Sequence, residues 1–347
     1  MSIIPTSNRL QALDQLRAIA VLCVLLSHFG IAINGNLIAI QNNSINIGTI
    51  GVFIFFCVSG YVIPWSMQSK DKSQPTTVRS FWVRRVLRLY PIYLAAGIVG
   101  LAFLGDRHVA EVVTKEFANA PISYLISYMT MTTYWQDTPT IFQGLEWTLA
   151  YEMLFYLACS IYIAFQNRLS NNTSLITLVL CICGLVLAPD LINDKNDIQK
   201  FFLMYSFFLL GLLAFLYKNR NISKPLFLAL TYCVIITILA RNSLWYSYWG
   251  INYMTFAFIP ALFIFYAIAF ERVIIHSKVL TTTGVVSYSI YLTHIFIPHN
   301  IPLAGLPPLL RFTAWLTIAI LVAIPLYRLI ELPSINTSRN ILRRLPA

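Results

Sequence analysis

Arg17 and His28 stand eleven residues apart in QLRAIAVLCVLLSHFG, a stretch whose interior is apolar enough to sit in lipid. At about 100° per residue, that step returns to within about 20° of its start on a helix. The two side chains then share one face, about 16 Å apart along the axis. An ionisable group at membrane depth marks a site or a pathway. An imidazole there can act as a general base or as a nucleophile. The plainer readings are a snorkelling anchor for Arg17 and an interhelical hydrogen bond for His28.

Other residues reach the same level. Glu152, in EWTLAYEMLFYL, lies about 10 Å inside the outer end of its span, and His28 about 9 Å inside its own. A carboxylate facing an imidazole fixes its tautomer and raises its basicity. Gly284, Ser287, Tyr291 and His294 follow a three-to-four spacing, which lines one helix face and suggests a polar cavity. FWVRRVLRLYPIY sets Arg84 and Arg88 four apart, with Arg85 beside them and Pro91 following. Guanidinium forks suit phosphates, although positive-inside topology accounts for part of this cluster. Ser59, Tyr151 and His294 are candidate donors to an oxyanion. The histidines lack ligand spacing with carboxylates, so no metal site is expected.

These residues need a membrane bundle to position them. Of 347 residues, 58% are hydrophobic and 11% charged, against about a quarter charged in a soluble domain. Mean hydropathy is +0.71. The net charge of +11 is read as cytoplasmic Lys and Arg rather than a nucleic-acid surface. The fold class expected is all-α, a polytopic transmembrane bundle. About ten apolar spans are expected, near 12–34, 47–67, 88–105, 145–165, 174–190, 200–217, 225–241, 251–270, 284–304 and 309–330. The segment 121–136 is placed at the outer interface because of its Tyr and Thr content. With both termini cytoplasmic, 18 of the 24 Lys and Arg fall inside, which supports that orientation. No inverted repeat is evident, which weakens a transporter reading. The six cysteines, Cys181 and Cys183 among them, fall in apolar runs and read as small hydrophobes.

The motifs in order resemble the acyltransferase 3 family of integral membrane acyltransferases. The resemblance covers roughly residues 10 to 335. It begins with the Arg–ten residues–His signature at Arg17 and His28. GVFIFFCVSGYVI, Gly51 to Ile63, is similar to the second-span motif, with Phe53 where the family often has a polar residue. Phe81, Arg84, Arg85, Arg88, Pro91 and Tyr93 resemble the third motif. Trp147, Thr148, Leu149, Glu152, Phe155 and Tyr156 resemble the fourth, and Ser287, Tyr288, Tyr291, Leu292 and His294 the late-span motif. IELP, Ile330 to Pro333, closes the series.

The resemblance implies transfer of an acyl group, usually acetyl, from cytoplasmic acyl-CoA to a glycan hydroxyl. The expected acceptors are O-antigen, exopolysaccharide or similar lipid-linked glycans at or near the outer side of a bacterial inner membrane. His28, Glu152 and Arg17 are the expected catalytic set. Arg17 joins Arg84, Arg85 and Arg88 in holding the CoA phosphates. Ser59, Tyr151, Ser287, Tyr291 and His294 line the cavity. No tightly bound cofactor is expected, since acyl-CoA is a co-substrate. Residues 1–347 form one transmembrane acyltransferase domain, with no fused hydrolase-like domain. A transporter or flippase of an anionic lipid or glycan is the alternative. A structural subunit of an envelope-polymer assembly is a third reading.

Overall fold

The structure is a computed structural model that describes residues 8–32, 47–67, 76–102, 114–115, 118–133, 141–142, 144–166, 197–240, 251–273 and 275–344. Among these residues the fold is all helical. Among the described residues, four helical stretches are long and apolar enough to cross a membrane: Gln11–Gly30, Ile47–Met67, Glu146–Ala164 and Pro308–Arg344. Met204–Lys218, Lys224–Leu239 and Ala257–Ala269 are shorter apolar helices. The expected span at 174–190, with Cys181 and Cys183, lies outside the described residues. Cys23, Cys57, Cys159 and Cys233 are free thiols.

The chain packs as two compact units. The first takes in helix α1 (Asn8–Ala32) up to Ser27, helix α2 (Ile47–Met67), and the chain from Phe155 to Val285. That last segment holds the end of α5 (Glu146–Gln166), α6 (Asp197–Lys218), α7 (Lys224–Ala240), α8 (Ile251–Ala269) and α9 (Lys278–Val285). The core of this unit is the pairing of α2 with α6. A Cβ on Gly60 would meet the Phe208 carbonyl oxygen, and one on Gly211 would meet the Cys57 carbonyl oxygen. Small residues facing each other let two backbones approach closely, which drives helix association where apolar burial cannot. Phe53 stacks on Phe207 at 3.9 Å and Phe56 on Phe208 at 4.7 Å. At the end of α6, Lys218 pairs with Glu271 at 2.6 Å and donates to the Ala269 carbonyl at 2.9 Å.

The second unit holds α3 (Val78–Ala102), α4 (Pro121–Thr130), the start of α5, and the chain from Val286 onward. That chain forms α10 (Ser287–Thr293), α11 (Phe296–Asn300), α12 (Pro308–Leu326), a π-helical turn (Tyr327–Glu331) and α13 (Leu332–Arg344). α10 and α11 pack on α12, and α3 packs on α10, the π-turn and α13. Ile122 is 74% exposed and Leu329 75% exposed, while Ser289, Thr293 and His294 are buried. Large apolar side chains on the outside fit lipid as the surrounding medium.

The expected single helix over 284–304 is replaced by three short ones, broken at Val286 (φ −94°, ψ 8°) and after Thr293. β-branched residues crowd the first break, Thr281, Thr282, Thr283, Val285 and Val286, and such residues lose rotamer freedom in a helix. Pro298 follows in α11. Residues 121–130 of the segment placed at the outer interface form α4, and the Tyr90 hydroxyl of α3 donates to the Met129 carbonyl at its end, 2.6 Å away.

Candidate active site

α1 is one continuous helix, so Arg17 and His28 stand on it with the eleven-residue spacing intact. Arg17 pairs with Asp14 at 3.2 Å, one turn earlier on the same helix. Ser59 lies on α2. Both residues belong to the first unit, and every other expected site residue falls in the second.

In the second unit the ring that meets His28 is His294. Their centroids are 5.0 Å apart, and His28 Nδ1 lies 3.4 Å from His294 Nε2. His294 is 0% exposed. Its other nitrogen, Nδ1, lies 2.7 Å from the Tyr291 carbonyl oxygen. The last carbonyls of a helix have no partner within it. Because α10 stops at Thr293, the Tyr291 carbonyl is taken by the histidine ring. Phe29 packs beside His294 and against Phe312 and Trp315 of α12, which ties the end of α1 into this unit.

Tyr291 also holds the start of α5. Its hydroxyl lies 2.8 Å from the Thr148 hydroxyl and 3.4 Å from the Leu145 carbonyl, which Thr148 also reaches at 3.0 Å. The Glu152 carboxylate lies within electrostatic reach of that Tyr291 hydroxyl. α5 thus brings Thr148 into contact with Tyr291 of α10. Tyr151 is buried with its ring edge-on to Trp147 at 5.7 Å, and Ser287 is buried at the start of α10.

The arginines of α3 divide. Arg84 and Arg88 are half-buried, and the Arg84 guanidinium lies 3.4 Å from the Ser80 hydroxyl. Desolvation first, and the Arg85 charge second, pull the Arg84 pKa below its usual value. An anion would relieve both. Arg85 is only 6% exposed and lies over the Phe81 ring at 5.3 Å, a cation–π contact.

Two carboxylates not singled out for this site from the sequence, Glu146 and Glu331, are buried in the same unit. Glu146, the first residue of α5, is 0% exposed and accepts the Phe142 N–H at 2.9 Å. It closes the turn through Gly144, whose φ of +91° suits only glycine. That turn sets Phe142 between Tyr93 and Phe296, at 5.1 and 5.7 Å. Glu331, buried in the π-turn, accepts from the Ser289 hydroxyl at 2.8 Å. A carboxylate opening one apolar span and another closing the last were the available signals. Among the described residues no group of three or more His, Cys, Asp or Glu could hold a metal ion.

Residues 10–328 match the acyltransferase 3 family, described as an acyltransferase domain. Among individual proteins, Acyltransferase MdmB of Streptomyces mycarofaciens is 28% identical over 41% of this chain and 34% of its own length. Exopolysaccharide production protein ExoZ of Rhizobium meliloti is 31% identical over 42% of this chain and 44% of its own. Regulator of hypoxia-inducible factor 1 of Caenorhabditis elegans is 28% identical over 52% of this chain and 39% of its own. The chain therefore spans less than half the length of these curated relatives. No solved structure matches it.

Proposed function

This chain belongs to the acyltransferase 3 family, and from that premise we propose that it moves an acyl group, acetyl in the usual case, from acyl-CoA to a glycan hydroxyl. The observation that carries the reading is the imidazole of His28 at the far end of an apolar helix, beside the buried His294. The name of the relative ExoZ refers to exopolysaccharide production, which supports a glycan as the acceptor.

The donor binds at the arginines. Arg84 and Arg88, on one face of α3, take the CoA phosphates through bidentate charge-assisted bonds. Arg85, stacked on Phe81, holds the cluster in place. The pantetheine arm runs inward and presents its thioester.

His28 takes the proton of the acceptor hydroxyl as the oxygen attacks the thioester carbonyl. A C–O bond forms, the C–S bond breaks, and His28 returns the proton to the leaving CoA thiolate. Glu152 stabilises the transient imidazolium through the field it places on this cluster. Tyr151 and Ser287, both in the second unit, are candidate donors to the tetrahedral oxyanion. Both termini lie in the cytoplasm of a bacterial cell, about ten spans cross its inner membrane, and the two compact units serve one activity.

The test is incubation of the purified protein with labelled acetyl-CoA and a glycan acceptor. Label in the glycan and release of free CoA are expected, and both should stop in His28→Ala while CoA binding remains. Normal turnover in His28→Ala would remove the histidine from the chemistry. Glycan crossing the membrane without acetylation would favour the transporter instead.

A further inference from the structure

We infer that His294 is a positioning residue which sets the proton of His28 on Nδ1 and so leaves the Nε2 lone pair of His28 as the base. The inference rests on the role of His28 proposed above.

The argument follows the hydrogen atoms. A carbonyl oxygen can only accept, so the 2.7 Å contact from His294 Nδ1 to the Tyr291 oxygen requires a proton on Nδ1. A neutral imidazole carries one N–H and one lone pair, so His294 Nε2 is left as the acceptor. That lone pair faces His28 Nδ1 at 3.4 Å, and the bond exists only if His28 donates. His28 then has its proton on Nδ1 and a lone pair on Nε2. The tautomer is fixed at the far end of the series by a main-chain carbonyl, whose role no side-chain substitution at position 291 removes. His294 is fully buried, so water does not compete for its lone pair.

The same contact serves the reaction. When His28 accepts the hydroxyl proton on Nε2, its ring becomes a cation with two N–H groups. The Nδ1–H keeps the His294 acceptor it already had. His294 carries no charge and touches no reacting atom, so it acts through His28 alone. Phe29, edge-on to His294 with centroids 6.3 Å apart, limits how far the ring can turn.

The experiment has a spectroscopic arm and a kinetic arm. Full-length protein labelled with 15N-histidine is examined by NMR in detergent, with His28→Ala identifying the His28 signals. Wild-type protein should show His28 protonated on Nδ1, and a proton on Nε2 would overturn the inference without any variant. His294→Phe keeps a ring but removes the acceptor, and should lose the tautomer preference. Its kcat should fall about 100-fold, the lower range for general-base catalysis, with KM for acetyl-CoA unchanged. His294→Gln carries an amide oxygen near the former Nε2 position and should recover to within about tenfold of wild type. A Gln variant no better than Phe, or a Phe variant with normal kcat, would also overturn it. If His28 is protonated on Nδ1 yet His28→Ala still turns over, the tautomer assignment stands and the catalytic role of His28 falls.

Discussion

The Thr148 and Tyr291 hydroxyls meet at 2.8 Å although 143 positions separate them in the chain. This bond ties the first turns of α5 to α10, and the main chain of the same tyrosine holds His294. Tyr291→Phe removes the hydroxyl but keeps that carbonyl. The loss should cost about 1 kcal/mol of stability, as for a typical buried hydrogen bond. Turnover should fall only several-fold. Thermal unfolding and kcat, measured together in detergent, check this. A loss as deep as in His28→Ala would make the tyrosine a chemical participant.

Arg84→Ala and Arg88→Ala should each raise KM for acyl-CoA by about tenfold, the worth of one charge-assisted contact, with kcat little changed. Lys at either position should rescue only partly, because an ammonium lacks the planar fork. Steady-state kinetics against donor concentration separate the cases, and a fall in kcat alone would remove phosphate binding from their role.

Glu152→Gln should lower kcat less than His28→Ala does, since an amide keeps its polarity but cannot stabilise a cation. The double variant should be no worse than His28→Ala alone, as expected for groups that act as one unit. Additive losses in the three transfer rates would mean that the two act separately.

Gly211 lies against the Cys57 carbonyl, so a side chain there must push α6 off α2. Gly211→Val should destabilise the fold by about 1–3 kcal/mol, the usual range for overpacking. Ile236→Val, at an exposed position of α7, is the matched control and should melt like wild type. Equal melting temperatures for Gly211→Val and the control would show that the helices are not this close.

A reporter fused at Lys115 should read outside and one at Lys218 inside, from the 18 of 24 basic residues assigned to the cytoplasm. The same side for both would overturn the topology.

Much of the helical framework was legible because apolar run length is a local property. The runs at 47–67, 145–165 and 251–270 reappear as α2, α5 and α8 within a residue or two. The Arg17 to His28 register was legible for the same reason, since an unbroken helix converts spacing into direction. Interruption was not legible. The run 284–304 has the composition of a span, yet the chain breaks at Val286, next to the β-branched Thr281 to Thr283 and Val285, and again after Thr293.

What the sequence determined by itself was therefore the set of polar residues and the helices that carry them, because composition and period act along the chain. What only tertiary structure decided was pairing. Depth along two spans matches Glu152 to His28, but depth carries no information about azimuth or neighbouring helices, so it does not reveal that another ring stands beside His28. The ring beside His28 is His294, brought there by the break after Thr293 and by Phe29 packing against α12. Arg85 shows the same limit. The spacing sets it beside the face that Arg84 and Arg88 share, and the fold turns it into the interior over Phe81.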